Sequence, residues 1–208
     1  MELIIVGAGG LGREVFSWLS HTINTEGQYT IKGFLDDNLD ALDELSYPVK
    51  VIGTIADYQP NANEKLIMAI LNPKIKKKIT PLMIEKGAKF FTLVHPTAVI
   101  GMNVHLGTGV VICPNCILTN DIVVGDFVFL NTNVTLGHDT RIGNYTSVNG
   151  NVDITGNSEV GEGCFFGVGA KVIPRRKIED WVTVGAGSVV IRNIRSGRTV
   201  FGNPAKNI

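Results

Sequence analysis

The residue pair best suited to chemistry is His138 with Asp139, in the run Gly137-His138-Asp139. An imidazole ionises near neutral pH, so it can remove a proton from an attacking amine or hydroxyl group. A neighbouring carboxylate can hold the ring in one tautomer and stabilise its protonated form. His138 lies two positions after Leu136 and outside the apolar pattern of this region, which favours an outward-facing side chain. A solvated turn histidine is the alternative interpretation.

A six-residue repeat surrounds this pair. A large apolar residue occupies every sixth position from Ile100 to Val190, sixteen in all and without a change of register. Four positions after each of them a small or β-branched residue usually follows, as at Val104 and Cys164. This spacing is typical of a hexapeptide parallel β-helix, in which three repeats form one coil. The repeat itself predicts stacking and not chemistry, so a solenoid used as a scaffold or binding rod is the alternative.

The chain before the repeat alternates short apolar runs with amphipathic segments. Strands are predicted at 3–6, 31–35, 66–70 and 90–94, and helices at 11–19 and 72–86. This order predicts a small parallel sheet of the half-Rossmann type. The expected organisation is therefore an α/β domain over 1–94 and a β-helix domain with a C-terminal tail over 95–208.

The first junction between strand and helix is rich in glycine, over residues 7–12. Such a loop lets the backbone approach a phosphate, and the helix N-terminus supplies free N–H groups. An acid at the end of the second strand would hold a ribose, which makes an NAD oxidoreductase the obvious competitor. Only about 90 residues precede the repeat, which suffices for one mononucleotide-binding half of that fold, so a smaller phosphate-bearing ligand is favoured. The residues expected to bind it are Gly9, Gly10, Leu11, Asp36 and Asp37.

Composition excludes several classes of partner. Nineteen basic residues balance nineteen acidic ones, so neither nucleic acid nor an anionic membrane is an expected partner. The apolar run at 1–6 is too short for a signal peptide or a membrane span, so a cytoplasmic protein is expected. Cys113 and Cys116 have the spacing of a zinc or redox pair, but Cys116 and Cys164 fall on the small inward position of the repeat. We therefore expect core cysteines and no metal site.

The order of these motifs, with the junction at 94–98 and the C-terminal run at 202–206, resembles the bacterial nucleotide-sugar acetyltransferases of the NeuD/PglD type. The resemblance covers essentially the whole chain. It implies a left-handed β-helix, acetyl-CoA as co-substrate, and transfer of the acetyl group to the amine of a nucleotide-linked 4-amino-4,6-dideoxy sugar for surface glycan or lipopolysaccharide synthesis. O-acetylation of sialic acid or another sugar hydroxyl is the alternative. The glycine-rich loop and Asp36 favour a nucleotide ligand.

The same resemblance implies roles for individual residues. His138 corresponds to the general base and Asp139 to the acid that raises its basicity, while Asn131, seven positions earlier, positions the substrate. Acetyl-CoA is expected to lie along residues that match three positions here: Ser147, Val168 and Ala186.

Counting by hexapeptides places the expected acetyl-CoA residues and the expected general base on different faces of the coil. Val168 and Ala186 are eighteen residues apart, and Gly150 precedes Val168 by eighteen, so the three stack in one column of a three-sided coil. His138 falls on a different face. Because the resemblance implies a homotrimer with sites between neighbouring helices, the base and the cofactor groove are expected to come from different subunits. Arg176 occupies a position expected to be small and inward, so a bulge is predicted at 174–177, where the charge would meet CoA phosphates or be solvated in a turn.

Overall fold

A computed structural model describes residues 1–23 and 27–208. The chain divides into two compact units, which we call the N-terminal domain (Met1–Leu71 with Ile75–Phe91) and the β-helix domain (Asn72–Lys74 with Thr92–Ile208).

The N-terminal domain contains one parallel sheet of four strands in the order β3-β2-β1-β4. Its strands are β1 (Glu2–Val6), β2 (Thr30–Leu35), β3 (Val51–Gly53) and β4 (Glu64–Met68). Helix α1 spans Gly10–Trp18 and continues into a π-helical turn at Leu19–Ile23, and helix α2 spans Pro73–Glu85. The central strand β1 is fully buried from Leu3 to Val6. This strand order is that of one mononucleotide-binding half of a Rossmann fold, as predicted.

The structure differs from the sequence prediction at both edges of this sheet. Strand β3 has no signal in the sequence, because three residues are too few to show an alternating pattern. The single strand expected at 90–94 is divided. Phe90 forms an isolated bridge with Leu66 of β4, whereas Leu93–Val94 forms β5, which pairs with the β-helix.

Three parallel sheets form the sides of the β-helix domain, and each regular coil contributes one two-residue strand to each. Sheet I contains β5 (Leu93–Val94), β8 (Val111–Ile112), β11 (Phe129–Leu130), β14 (Ser147–Val148), β17 (Phe165–Phe166), β20 (Thr183–Val184), β22 (Thr199–Phe201) and the antiparallel β23 (Lys206–Asn207). Sheet II contains β6 (Val99–Ile100), β9 (Ile117–Leu118), β12 (Thr135–Leu136), β15 (Asp153–Ile154), β18 (Lys171–Val172) and β21 (Val189–Val190). Sheet III contains β7 (His105–Leu106), β10 (Val123–Val124), β13 (Arg141–Ile142), β16 (Glu159–Val160) and β19 (Lys177–Ile178).

The predicted inward positions form the core of this domain. Every large apolar residue of the repeat from Ile112 to Val190 is buried, and only the first two, Ile100 and Leu106, are not. Cys116 and Cys164 are fully buried, and burial raises the pKa of both thiols to about 11, which keeps them neutral. The fold class predicted from the sequence, a half-Rossmann α/β domain followed by a left-handed β-helix, is confirmed.

The turns between sheets repeat a left-handed backbone conformation every six residues. Glycine, asparagine or aspartate occupies most of these positions, as expected for φ near +60°. Arg175 takes the same conformation, and Lys177 then pairs with Glu159 in the regular register. The bulge predicted at 174–177 is therefore wrong. Arg176 is accommodated because its Nε donates to the carbonyl of Pro174 at 3.1 Å, so the side chain does not enter the core.

Candidate active site

The glycine-rich loop is closely packed on the end of strand β1. Gly7 has φ +101°, and a Cβ atom there would lie 3.0 Å from the carbonyl oxygen of Ala69. A Cβ atom at Gly12 would lie 1.9 Å from the carbonyl oxygen of Gly7, so only glycine allows the helix to start this close to the strand. In contrast, a Cβ atom at Gly9 would have no neighbour within 4 Å. The loop is therefore closely packed at its base and open at its tip, which leaves space for a ligand near the backbone.

The two predicted acids face different parts of this domain. Asp36 accepts a hydrogen bond from the N–H of Ala8 at 2.8 Å and another from the N–H of Asn38 at 2.9 Å, so it fixes the glycine-rich loop. Asp37 accepts a hydrogen bond from the N–H of Ile55 at 3.3 Å. It also borders a cavity of about 420 Å³ whose walls are mostly apolar. The lining residues are Asp37, Ile55, Ala56, Lys78, Ile79, Leu82, Met83, Glu85 and Lys86.

Sequence reasoning missed one residue beside the loop. Arg13 lies in the first turns of α1, and a Cβ atom at Gly10 would be 3.9 Å from its Nη2. Its Nε atom is buried, and within the described residues it has no hydrogen-bond partner. A cation near a helix N-terminus interacts unfavourably with the helix dipole. An anion at the loop would offset this interaction and would also give the buried Nε a hydrogen-bond acceptor. Arg13 directly follows the glycine motif at 7–12 but does not belong to it. Only its place in the first turns of the helix could have indicated that its guanidinium lies beside the loop.

His138 and Asp139 lie in the turn between β12 and β13. His138 Nδ1 is 2.7 Å from Asp139 Oδ2, and the two side chains are 64% and 53% exposed. A carboxylate only accepts hydrogen bonds, so Nδ1 carries a proton, and in the neutral form of the ring Nε2 presents a lone pair. Asp139 holds a left-handed backbone conformation, with φ 60°. Such a pair has the chemistry that general base catalysis requires, because an acid next to the ring can fix its tautomer.

Glycine at position 156 makes room for the imidazole. Gly156 follows His138 by eighteen residues and stacks above it in the next coil. A Cβ atom at Gly156 would lie 2.7 Å from Nε2. Any larger residue would therefore displace the ring from the position in which its free nitrogen is held.

The predicted cofactor column lies at another corner of the β-helix. Val168 follows β17 and Ala186 follows β20, so both lie where the chain passes from sheet I to sheet II. The N–H of Gly169 donates to Gly150 and that of Gly187 donates to Val168, so the column is continuous. Val168 is 55% exposed and Ala186 is exposed, whereas Gly150 is buried, so the accessible part of the column lies at Val168 and Ala186.

Two predicted residues have surroundings that the sequence did not reveal. Ser147 lies in strand β14 with a fully buried side chain, so it does not line the exposed column. Asn131 is half-buried at the corner between sheets I and II, where its Oδ1 accepts a hydrogen bond from the N–H of Thr132 at 2.7 Å. It therefore shares a corner with Val168, whereas His138 lies at the corner between sheets II and III.

Metal clusters and membrane-spanning helices are absent from the part of the chain that the structure describes. In residues 1–23 and 27–208, no group of three histidine, cysteine or acidic side chains is arranged to hold a metal ion. None of the helices in these ranges has the length and apolar character to cross a membrane.

Comparisons with known proteins agree with this architecture. Residues 2–81 match the PglD N-terminal domain. The acetyltransferase domain of PglB from Neisseria gonorrhoeae in complex with acetyl coenzyme A is 29% identical, with a TM-score of 0.87 over 100% of this chain and 98% of that one. PerB from Caulobacter crescentus in complex with CoA and GDP-perosamine is 28% identical, with a TM-score of 0.88 over 100% and 97%.

A third solved structure, WeeI from Acinetobacter baumannii, is 26% identical, with a TM-score of 0.88 over 100% of both chains. No curated protein sequence matches this chain significantly. The resemblance predicted from the sequence is thus confirmed: the chain carries a PglD N-terminal domain and is similar over its whole length to bacterial sugar acetyltransferases of the NeuD/PglD type.

Proposed function

We propose that this protein transfers the acetyl group of acetyl-CoA to the amine of a nucleotide-linked 4-amino-4,6-dideoxy sugar, with His138 as the general base. The observation that carries the proposal is the 2.7 Å hydrogen bond between His138 Nδ1 and Asp139 on an exposed turn. Relatives with this architecture bind acetyl-CoA or GDP-perosamine, which supports the choice of substrates. The product would serve surface glycan or lipopolysaccharide synthesis, and the reaction would take place in the cytoplasm, where acetyl-CoA is made.

The chemistry follows from the free nitrogen of His138. The sugar amine attacks the thioester carbon, and Nε2 accepts the proton that the new N–C bond makes acidic. Asp139 stabilises the imidazolium through the hydrogen bond at Nδ1. The C–S bond then breaks, and the proton passes to the sulfur, so CoA leaves as the thiol. A backbone N–H beside the column would stabilise the oxyanion of the tetrahedral intermediate.

The N-terminal domain would hold the nucleotide. The open tip of the loop at Gly9 and Gly10, with Leu11 in the first helical turn, would face the diphosphate. The Arg13 guanidinium would add a charged donor there. Asp37 and the adjoining cavity offer an acceptor and apolar walls to the nucleoside, while Asp36 keeps the loop in place.

The cofactor and the base would meet only in an assembly. The Val168 and Ala186 column and His138 lie at the two corners that flank sheet II. In a threefold assembly with sheet II directed towards the axis, the corner of one chain between sheets I and II meets the corner of its neighbour between sheets II and III. Such a homotrimer would place the His138 of one subunit beside the column of the next, with Asn131 at the corner of the column positioning the substrate.

The outer surface of sheet II suits this packing. Val99 and Ile117, which face outward from its strands, are 58% and 42% exposed. Val168 and Ile173 add exposed apolar area on either side of β18. Exposed apolar area of this kind supports an interface here, whereas Asp153 and Lys171 of the same sheet form an exposed ion pair.

A substrate panel tests the proposal. Purified protein is incubated with acetyl-CoA and UDP-, GDP- or dTDP-linked 4-amino-4,6-dideoxy sugars, and with sialic acid, while thiol release is followed and the products are identified by mass spectrometry. We expect acetylation of at least one amino sugar and no acetylation of its N-formyl derivative, which lacks a free amine. Acetylation of sialic acid alone would favour the O-acetyltransferase, and no transfer to any acceptor would contradict both.

A further inference from the structure

The outer surface of sheet II carries one ion pair in a row of otherwise uncharged side chains. Each of its six strands directs its first residue outward and its second towards the core. From the first coil to the last, the outward residues are Val99, Ile117, Thr135, Asp153, Lys171 and Val189. Only Asp153 and Lys171 are charged, and they occupy the neighbouring strands β15 and β18. The row is therefore neutral in sum but has one acidic level and one basic level.

Short contacts hold the two charged side chains in place. Lys171 Nζ donates a hydrogen bond to Asp153 Oδ2 at 2.6 Å and another to the carbonyl oxygen of Asn151 at 3.2 Å. The Asp153 side chain is 37% exposed and that of Lys171 is 47% exposed, so both charges are still accessible to a partner. An exposed pair of this kind contributes little to the stability of a single chain. Its place on an apolar face therefore calls for a role between chains.

Sheet III offers a direct comparison, since Glu159 and Lys177 form the equivalent pair on the neighbouring strands β16 and β19. Their N···O distance is 3.7 Å, and the side chains are 59% and 61% exposed. The outward row of sheet III also includes His105 and Arg141, so titratable side chains are spread along it. The tighter and less exposed pair thus lies on sheet II, the face that also carries the exposed Val99 and Ile117.

We propose that Asp153 and Lys171 of three chains form one network of ion pairs on the axis of the homotrimer, so that sheet II recognises further copies of this chain. The inference rests on the threefold assembly of the proposed function. With sheet II directed towards the axis, symmetry brings three copies of Asp153 to one level and three copies of Lys171 to the next, about 4.8 Å along the axis. The acidic level then lies directly beside the basic level.

Such a network accounts for a charged pair within an apolar interface. Removing a charge from water is costly unless a partner of opposite sign lies beside it. On the axis, each Asp153 has the lysine of its own chain and those of its neighbours close by. Loss of one sign would instead leave only like charges facing one another, away from bulk water. Neutrality requires that every partner carries the same pair, which selects copies of this chain.

Charge reversal tests the network. Lys171→Asp places two carboxylates from each of three chains on the axis, and Asp153→Lys places two ammonium groups there. Each variant should raise the protein concentration at which half of the trimers dissociate by roughly 10²-fold or more, because like charges replace the ion pairs. Analytical ultracentrifugation measures this concentration. The double variant with both substitutions exchanges the two charges and should form trimers again.

Mixing the two single variants provides a second readout. A trimer that contains both kinds of chain has charges of both signs on its axis, so mixed trimers should form at concentrations at which neither variant assembles alone. Native mass spectrometry distinguishes them by mass. High salt should also restore part of the assembly of each single variant, because it screens the repulsion. A variant that fails to assemble because it is misfolded would respond to neither treatment.

The pair on sheet III supplies the matched control. Lys177→Asp and Glu159→Lys make the same changes of charge on the next sheet and should leave the oligomeric mass unchanged. A Lys171→Asp protein that stays trimeric down to the wild-type concentration would overturn the inference. Because the assay needs no substrate, a charge-dependent trimer without acetyl transfer would contradict only the proposed chemistry. A monomeric wild-type protein would contradict both this network and the site shared between subunits.

Discussion

The two corners that flank sheet II are built from the same six-residue repeat but carry opposite kinds of side chain. The corner between sheets II and III carries His138 and Asp139, with their hydrogen bond exposed to solvent. The corner between sheets I and II carries the exposed side chains of Val168 and Ala186, which have no titratable group, above the buried Gly150. The repeat fixes the backbone at both corners. It does not constrain the residues that face outward in the turns, so these residues differ between the two corners. One corner is therefore suited to proton transfer and the other to holding a narrow cofactor.

The largest expected effect comes from the corner with the base. His138→Ala should lower kcat by roughly 10² to 10⁴, the usual contribution of a general base. Because the side chain is exposed, thermal stability and oligomeric mass should not change. Steady-state kinetics with acetyl-CoA and a competent amino sugar measure the effect, and native mass spectrometry controls for assembly. Turnover at the wild-type rate would remove His138 as the base.

Blocking the other corner should have a different kinetic signature. Ala186→Trp fills the exposed column and should raise the KM for acetyl-CoA by roughly 10² while the His138 pair stays intact, since the loss is one of binding. The matched control, Ala62→Trp, places the same side chain at an exposed turn of the N-terminal domain. An equal rise in both variants would show that the column is not the cofactor path.

Mixing the two variants, and assaying them at an acetyl-CoA concentration far below the KM of Ala186→Trp, tests whether the corners belong to different subunits. After dissociation and reassembly of equal amounts of His138→Ala and Ala186→Trp chains, about one quarter of wild-type activity should return, because each site draws independently on two chains. Native mass spectrometry must show the mixed trimers. Mixed trimers without activity would mean that each chain builds its own complete site.

A substitution in the glycine-rich loop of the N-terminal domain should change the kinetics for the sugar substrate only. Gly10→Val places a β-branched side chain at the open tip of the loop and should raise the KM for the nucleotide sugar by about 10- to 100-fold, since a phosphate could no longer approach the backbone. The KM for acetyl-CoA should not change. The reverse pattern would exchange the two binding assignments.

The sequence predicts most of the β-helix but less of the site. The burial of the large apolar residues is predictable, because every sixth residue of the repeat points towards the core. The separation of His138 from Val168 follows from the same counting. The burial of Ser147 and the unpartnered Nε of Arg13 within the described residues depend on packing between elements, which has no periodic signal. The path of the chain after Val190 is not predictable either, because the register changes there and Ile194 pairs with Ile178.

The smallest expected effect concerns a single atom of the corner that carries the base, Nε2 of His138. Gly156→Ala adds a methyl group whose carbon would lie 2.7 Å from His138 Nε2, closer than a non-bonded contact allows. The ring is exposed and can rotate away, so stability should hardly change, but the free nitrogen leaves its position and kcat should fall by about 10-fold, as for other losses of orientation. The KM for acetyl-CoA should stay constant, since the column at Val168 lies at the other corner. Asp139→Asn tests the same geometry from the Nδ1 side: the amide can no longer stabilise the imidazolium, so kcat should fall, but by less than in His138→Ala. If Gly156→Ala raised the KM for acetyl-CoA and left kcat unchanged, the corner above His138 would belong to the cofactor path and not to the base.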